Sequence, residues 1–133
     1  MNFEKSCGAV VFNNNKVLII EHNFGHVGFP KGHVEGNESE IETAIREVKE
    51  ETGIDIEITH NKRYSLRYSP KNNVSKEVIY FIGKKIGGEL KPQFEEIASC
   101  YFVDRDKVID LITFDNDRNM YLDILNYIKK GEL

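Results

Sequence analysis

Three glutamates, Glu47, Glu50 and Glu51, are spaced so that a helix would carry them on one arc of its surface. At about 100° per residue, positions i, i+3 and i+4 are neighbours on a helix. Like charges at these spacings destabilise a helix by roughly 0.2–0.5 kcal/mol per pair, which indicates a compensating use. Converging carboxylates are hard oxygen ligands that suit Mg²⁺ or Mn²⁺, and the alternative is a solvated acidic face.

The helix that would present these carboxylates has clear start and stop signals. Ser39, with Glu42 three residues later, has the pattern of a capping box. Gly53 stands where a left-handed residue would end the helix. These signals predict a helix from Glu40 to Thr52. Its apolar residues predict the face that packs on a core: Ile41, Ala44, Ile45 and Val48.

The stretch before this helix has the composition of a phosphate-binding loop. Pro30, Gly32 and Gly36 shape a loop that leads into the helix, and Lys31 and His33 lie within it. Such a loop can bring backbone groups and a cation close to a phosphate. The loop therefore favours a metal site over a solvated acidic face.

Together, the loop and the helix resemble the complete signature of the Nudix hydrolases, G-x5-E-x7-R-E-U-x-E-E-x-G-U, in which U is apolar. The matching positions are Gly32, Glu38, Arg46, Glu47, Val48, Glu50, Glu51, Gly53 and Ile54. The resemblance implies an α/β fold, namely a Nudix-type α/β/α sandwich with a mixed β-sheet.

Further stretches are similar to the asymmetric diadenosine tetraphosphate hydrolases. They are residues 29–35 (FPKGHVE), 76–81 (KEVIYF) and, less specifically, 64–68 and 95–102. The resemblance implies hydrolysis of a bis(5′-nucleosyl) tetraphosphate to a nucleoside triphosphate and a monophosphate. The alternatives are a pyrophosphohydrolase of nucleoside triphosphates (oxidised ones included) or of RNA 5′ ends, and a nucleotide-binding regulator without catalysis.

The same resemblance assigns roles at the metal. The ligands would be the carboxylates of Glu47, Glu50 and Glu51, with the carbonyl of Lys31 or Gly32. Arg46 would orient a helix carboxylate, and Glu38 would tie the loop to the helix. The proton of the attacking water would pass to one of four carboxylates: Glu47, Glu51, Glu95 or Glu96.

Contacts to the substrate follow from the resemblance as well. Lys31 and His33 would contact phosphate, and Tyr68 and Phe114 would sandwich an adenine between their rings. Tyr80 is a further substrate-binding candidate. For Phe114 and Tyr80 the alternative is ordinary packing in the core.

The charge of the chain is unevenly distributed. The net charge is −4, yet residues 35–57 hold nine acids and two bases, while residues 62–91 hold eight bases and two acids. An acidic metal pocket facing a basic half suits a polyphosphate substrate. An acidic chain without a basic helix predicts no stable nucleic-acid complex, so the expected partner is a small nucleotide bound by a monomer or homodimer.

Length and composition predict one domain over residues 1–133. No apolar run is long enough to span a membrane, and the first residues lack the layout of a signal peptide. Cys7 and Cys100 lie in apolar runs and are expected to be reduced packing residues. A cytoplasmic protein is therefore expected.

The elements that would position this chemistry follow from the apolar pattern. Strands are predicted at 3–12, 16–21, 54–59, 61–69, 75–85 and 98–103, with 61–69 pairing with 75–85. A short helix is predicted over 104–112, and Asn116 or Asp117 is expected to cap a final helix. This order also indicates an α/β sandwich with a mixed sheet.

Overall fold

The computed structural model describes residues 2–128. The strands are β1 (Asn2–Asn13), β2 (Lys16–His22), β3 (Val27–Gly28), β4 (Lys31–His33), β5 (Ile54–Ile58), β6 (Tyr64–Lys71), β7 (Val74–Gly88) and β8 (Ile97–Asp104). The helices are α1 (Glu40–Thr52), α2 (Val108–Leu111) and α3 (Asp115–Tyr127).

Two long strands form the middle of one mixed sheet. β1 and β7 run parallel, from Asn2 opposite Val74 to Phe12 opposite Lys84. The other pairs are antiparallel: β2 and β4 with β1, β5 and β6 with β7, and β3 and β8 with β2. The predicted pairing of 61–69 with 75–85 is confirmed by β6 and β7, and the mixed sheet is confirmed as well.

The helices cover opposite faces of this sheet. Successive side chains of a strand point to opposite faces. Val10 of β1 packs in the cluster that contains Tyr121 of α3, whereas its neighbour Val11 packs with Val48 of α1. The predicted α/β/α sandwich is therefore confirmed, with α1 on one side and α3 on the other.

Helix α1 begins and ends where the sequence predicts. The Ser39 hydroxyl accepts a hydrogen bond from the Glu42 N–H, and the Glu42 carboxylate accepts one from the Ser39 N–H. Gly53 ends the helix at φ 81°, a left-handed conformation that glycine adopts without strain. These local interactions explain why the bounds Glu40–Thr52 were predictable.

The face on which α1 packs is different from the one predicted. Ile41 and Ile45 are 42% and 37% exposed, so their placement in the core is wrong. The buried residues are Thr43, Ala44, Val48, Glu51 and Thr52. The helix is rotated because polar side chains on this face have partners: the Thr43 hydroxyl donates to Glu38, and Glu51 accepts from the backbone of β4.

The C-terminal elements depart from prediction at their starts. The helix expected over 104–112 is the single turn α2. Helix α3 begins after Phe114 without a side-chain cap, so capping by Asn116 or Asp117 is wrong. Asp117 does not cap because its carboxylate is buried and accepts a hydrogen bond from Tyr68 instead.

Within residues 2–128, no helix has the length and apolar character needed to cross a membrane. Cys7 is buried, Cys100 is partly buried, and both are free thiols, as the sequence predicts.

Candidate active site

Strand β4 brings the loop backbone onto the acidic helix. It pairs with β1 through Ser6 opposite His33 and Gly8 opposite Lys31. A Cβ on Gly8 would overlap the Pro30 carbonyl, so glycine is required for this close approach. The Lys31 N–H donates to Glu51 Oε1 at 2.9 Å, which fixes this buried carboxylate against β4.

Glu47 approaches the same strand one residue further on. A Cβ built on Gly32 would overlap the Glu47 carboxylate, so this carboxylate lies directly over the Gly32 backbone. The Glu47 side chain is only 13% exposed. Two of the predicted ligands, Glu47 and Glu51, are thus brought together with the two predicted backbone positions, Lys31 and Gly32.

Arg46 lies at the centre of a hydrogen-bonded network beside these carboxylates. Its Nε donates to Glu38 Oε2 at 2.6 Å, and its Nη1 donates to Glu47 Oε1 at 2.8 Å and to Glu50 Oε2 at 3.0 Å. Its Nη2 donates to the His33 carbonyl at 2.9 Å. Arg46 thus joins two of the candidate ligands, Glu47 and Glu50, to Glu38 and to the loop backbone through charge-assisted hydrogen bonds.

Burial changes the acidity of the carboxylates. Burial raises the pKa of Glu51 to about 8, against the opposing effect of the Lys31 N–H. Burial also raises the pKa of Glu47, and the hydrogen bond from Arg46 opposes it. By contrast, hydrogen bonds from Arg46 and the loop lower the pKa of Glu38 to about 2. A buried carboxylate beside a partly buried one, both with raised pKa values, is a place where a bound cation would be stabilised.

The donor set fits a hard divalent cation. Carboxylate and carbonyl oxygens are the ligands that Mg²⁺ and Mn²⁺ prefer. As placed, the His, Cys, Asp and Glu side chains of residues 2–128 do not form a group of three that would hold a metal ion. Arg46 Nη1 donates to both Glu47 and Glu50, whereas Glu51 accepts from the Lys31 N–H.

A cavity of about 440 Å³ opens beside β4. It is lined by His22, His26, Gly28, Phe29, Lys31, Tyr68, Ser69, Lys76, Val78, Tyr80, Phe114 and Asp117. Four of the predicted substrate contacts therefore lie around one space: Lys31, Tyr68, Tyr80 and Phe114. His33 lies outside this lining, with its Nε2 3.6 Å from the Glu4 carboxylate.

The aromatic residues of the cavity divide into a floor and a rim. Phe29 and Tyr80 are each 1% exposed, with ring centroids 5.9 Å apart, so they form the floor. Phe114 is 46% exposed, and its ring lies 5.5 Å from that of His26. Tyr80 is thus packed into the floor, whereas Phe114 is partly exposed at the rim.

Sequence reasoning missed four ionisable residues of this cavity: His22, His26, Lys76 and Asp117. The two histidine rings stack with centroids 3.9 Å apart, and burial lowers the pKa of His22 to about 4. Lys76 lies opposite Tyr68 across β6 and β7, and burial and the Lys31 charge lower its pKa. The predicted pairing of 61–69 with 75–85 could have indicated Lys76, because residues directly opposite each other on paired strands share a face. No sequence signal identified the other three.

Glu96 lies on the loop that leads into β8. Its side chain is exposed, and its carbonyl accepts a hydrogen bond from the Asn23 N–H at 3.0 Å. Its charge raises the pKa of Glu51 and opposes the lowering of the Lys76 pKa. Glu96 is therefore within electrostatic range of both the buried carboxylate and the cavity.

Comparison with known proteins adds to this geometry. A family model described as the NUDIX domain matches residues 3–123. The asymmetrical bis(5′-nucleosyl)-tetraphosphatase of Mus musculus is 32% identical over 95 residues, which cover 60% of this chain and 64% of that protein. The NAD-capped RNA hydrolase NudC of Vibrio atlanticus is 33% identical over 99 residues, which cover 72% of this chain and 35% of that protein.

The matches span less than two thirds of the length of these two relatives. Among solved structures, the binary complex of a C. elegans Ap4A hydrolase superimposes with a TM-score of 0.80 at 23% identity. The superposition covers 93% of this chain and 96% of that one, so the two share a fold.

Proposed function

This chain belongs to the Nudix family, and from that premise we propose that it hydrolyses bis(5′-nucleosyl) tetraphosphates to a nucleoside triphosphate and a monophosphate. The mouse relative named above supports this substrate class. We further propose one domain over residues 1–133 that acts in the cytoplasm as a monomer or homodimer. Its partner is a small nucleotide, and it forms no stable complex with nucleic acid.

The position of Lys31 carries the proposal. Its side chain lines the cavity, while its backbone N–H donates to Glu51. A nucleoside in the cavity therefore directs its phosphates past Lys31 towards the carboxylates of α1. Lys76 adds a second cation to the same wall. Two neighbouring lysines repel each other unless an anion lies between them, which suits a polyphosphate.

Glu47, Glu50 and Glu51, with the Lys31 or Gly32 carbonyl, would hold Mg²⁺ or Mn²⁺. The ion, when bound, supplies neutralisation of phosphate charge and acidification of water. Arg46 keeps Glu47 and Glu50 oriented through its two hydrogen bonds. The water proton passes to a carboxylate, for which the candidates are Glu95 or Glu96 on the exposed loop before β8 and Glu47 or Glu51 on α1.

Two aromatic residues of the cavity are the candidates to stack on the nucleobase of the substrate. Tyr68 and Phe114 line the cavity on separate elements, so a base can insert between them. Aromatic stacking on a base contributes about 1–3 kcal/mol and accepts any purine or pyrimidine. His33 is the weakest of the proposed phosphate contacts because it is paired with Glu4 outside the cavity.

The test of the proposed function is a comparison of kcat/KM for diadenosine tetraphosphate, ATP, 8-oxo-dGTP and 5′-triphosphorylated RNA at equal Mg²⁺. We expect the dinucleotide to be preferred by about tenfold or more, because only it places a base in the cavity and a second nucleoside beyond the cleaved bond. Products are identified by chromatography as ATP and AMP. Preference for a triphosphate or for RNA would contradict the dinucleotide proposal and favour the pyrophosphohydrolase alternative, which the Vibrio relative represents.

Replacing Lys31 with alanine should raise KM for polyphosphates, with little change in kcat. The mutation removes the ammonium from the cavity wall but keeps the backbone N–H that holds Glu51. We expect about a tenfold rise in KM for the tetraphosphate and a smaller one for shorter chains, since one charged contact is lost.

The matched control for this measurement is Lys84→Ala, also in the basic half. Lys84 is exposed on β7 and lies 4.0 Å from Glu57, outside the cavity lining. Its kinetics should equal those of the wild type. Equal KM values for Lys31→Ala and Lys84→Ala at every chain length would show that the Lys31 ammonium does not contact phosphate.

A further inference from the structure

Asp117 is a buried carboxylate in the cavity wall that the proposed mechanism does not use. It is 5% exposed, and its Oδ1 accepts a hydrogen bond from the Tyr68 hydroxyl at 2.9 Å. A structural link between α3 and β6 explains that hydrogen bond. That link uses only one of the two carboxylate oxygens and assigns no role to the other, Oδ2.

The second oxygen, Oδ2, faces the one place where the cavity wall has no side chain. A Cβ built on Gly28 would have Asp117 Oδ2 as its neighbour, at 3.5 Å. Among residues 2–69 and 72–128, no side chain is seen to donate a hydrogen bond to Oδ2, and the Tyr68 hydroxyl is the donor to Oδ1. Both Gly28 and Asp117 line the cavity, so a ligand in it can reach this oxygen.

A purely structural role would be served better by an amide. An asparagine oxygen can accept the Tyr68 hydrogen bond without the free energy required to bury a charge. Burial raises the pKa of Asp117, and the Tyr68 hydroxyl and the Lys31 charge oppose that rise. The cavity wall, which also carries aromatic rings and two lysines, thus has a carboxylate acceptor with a lone pair available to a ligand.

We propose that Asp117 Oδ2 recognises the edge of the bound base by accepting a hydrogen bond from the exocyclic amine of a 6-aminopurine. This assignment rests on the proposed function only in placing a nucleotide base in the cavity. Stacking on Tyr68 and Phe114 does not distinguish purines, because every base has a stacking face. A buried acceptor at the edge of the base does distinguish purines, because a base without the exocyclic amine leaves the carboxylate without a hydrogen-bond partner. Asp117 is therefore the specificity-determining residue.

The test compares binding of AMP with binding of purine riboside 5′-monophosphate, which lacks only the 6-amino group. Both are titrated calorimetrically into the wild type, Asp117→Asn and Gly28→Ala. For the wild type we expect AMP to bind at least about tenfold more tightly, the discrimination typical of one buried polar contact. For Asp117→Asn we expect a ratio below about twofold, because the amide can satisfy Tyr68 through its oxygen and present its NH₂ to the base.

Gly28→Ala keeps the charge and the Tyr68 hydrogen bond but places a methyl group against Oδ2. This variant should lower the AMP preference as well. It also provides a test of the Oδ2 contact if Asp117→Asn does not fold. Thermal melts followed by circular dichroism establish that each variant is folded. A wild type without preference, or a preference unchanged in both variants, would overturn the proposal.

Hydrolysis of diadenosine tetraphosphate by the wild type is measured in parallel. An Asp117-dependent preference for AMP without hydrolysis would count against the proposed reaction and leave the base contact standing. Hydrolysis of diadenosine tetraphosphate with no preference for AMP would count against the base contact and leave the proposed reaction standing. The two proposals therefore fail by different measurements.

Discussion

Replacing Glu51 with glutamine is expected to reduce kcat for tetraphosphate hydrolysis by about a thousandfold or more. Glu51 is a proposed metal ligand, and the amide keeps its shape while removing the ligand charge. A thousandfold loss corresponds to about 4 kcal/mol of transition-state stabilisation, a magnitude ordinary for metal-assisted phosphoryl chemistry. Rates in Mg²⁺ and in Mn²⁺ are measured at saturating substrate.

The same substitution should leave the fold intact or make it slightly more stable. The amide oxygen of glutamine can still accept the Lys31 N–H. Burial raises the pKa of Glu51 to about 8, so the folded state is penalised as pH rises from the ordinary carboxyl range through 8. Glutamine removes that penalty at neutral pH. A thermal melt at pH 7 should therefore show an equal or higher Tm for the variant.

The matched control is Glu57→Gln, which changes an exposed glutamate of β5 outside the site. Its activity should equal that of the wild type. Glu47→Gln should behave like Glu51→Gln, because Glu47 is a partly buried carboxylate that also lies against β4. If Glu51→Gln and Glu47→Gln both retained near-normal rates in Mg²⁺, the metal-site interpretation of the acidic helix would be wrong.

Replacing Gly32 with alanine should reduce activity by about a hundredfold while changing stability little. The added methyl group would occupy the position of the Glu47 carboxylate. The obstructing atoms belong to the end of a flexible side chain, so Glu47 can move away while the strand stays in place. A displaced ligand lowers kcat because small misplacements of reacting groups raise the barrier by several kcal/mol. The measurements are kcat at saturating Mg²⁺ and the Mg²⁺ concentration that gives half-maximal rate.

The control for Gly32→Ala is Gly87→Ala on β7. A Cβ on Gly87 would meet only Asp55, at ordinary contact distance of 3.5 Å or more. We expect full activity and an unchanged Mg²⁺ dependence for this variant. Wild-type kinetics for Gly32→Ala would show that the contact between Glu47 and the loop backbone is not used in the reaction.

Local interactions made a large part of this protein predictable. The capping box at Ser39 and Glu42 and the left-handed Gly53 involve residues a few positions apart, so their pattern is visible in the sequence. The spacing of Glu47, Glu50 and Glu51 is visible in the sequence for the same reason, since these residues are at most four positions apart. The strands were predicted from apolar alternation, and the pairing of β6 with β7 followed because a short turn joins them.

The burial of α1 shows where such reasoning stops. The apolar pattern placed Ile41 and Ile45 in the core, yet Glu51 and Thr43 are buried instead. The rotation of the helix depends on the Lys31 N–H, which reaches Glu51 only because β4 pairs with β1. A hydrogen bond between residues 20 positions apart leaves no periodic signal.

The sequence by itself determined the Nudix signature, the helix that carries the carboxylates, the fold class and the candidates Lys31, Tyr68 and Phe114. Only the tertiary structure decided which groups share the cavity. It added Lys76 and Asp117 to the cavity lining and placed His33 outside it. The physical reason is that side-chain type and spacing act along the chain, whereas the cavity is lined by β2, β3, β4, β6, β7 and α3. Apart from neighbouring strands such as β6 and β7, these elements are far apart in sequence, so their contacts leave no local pattern.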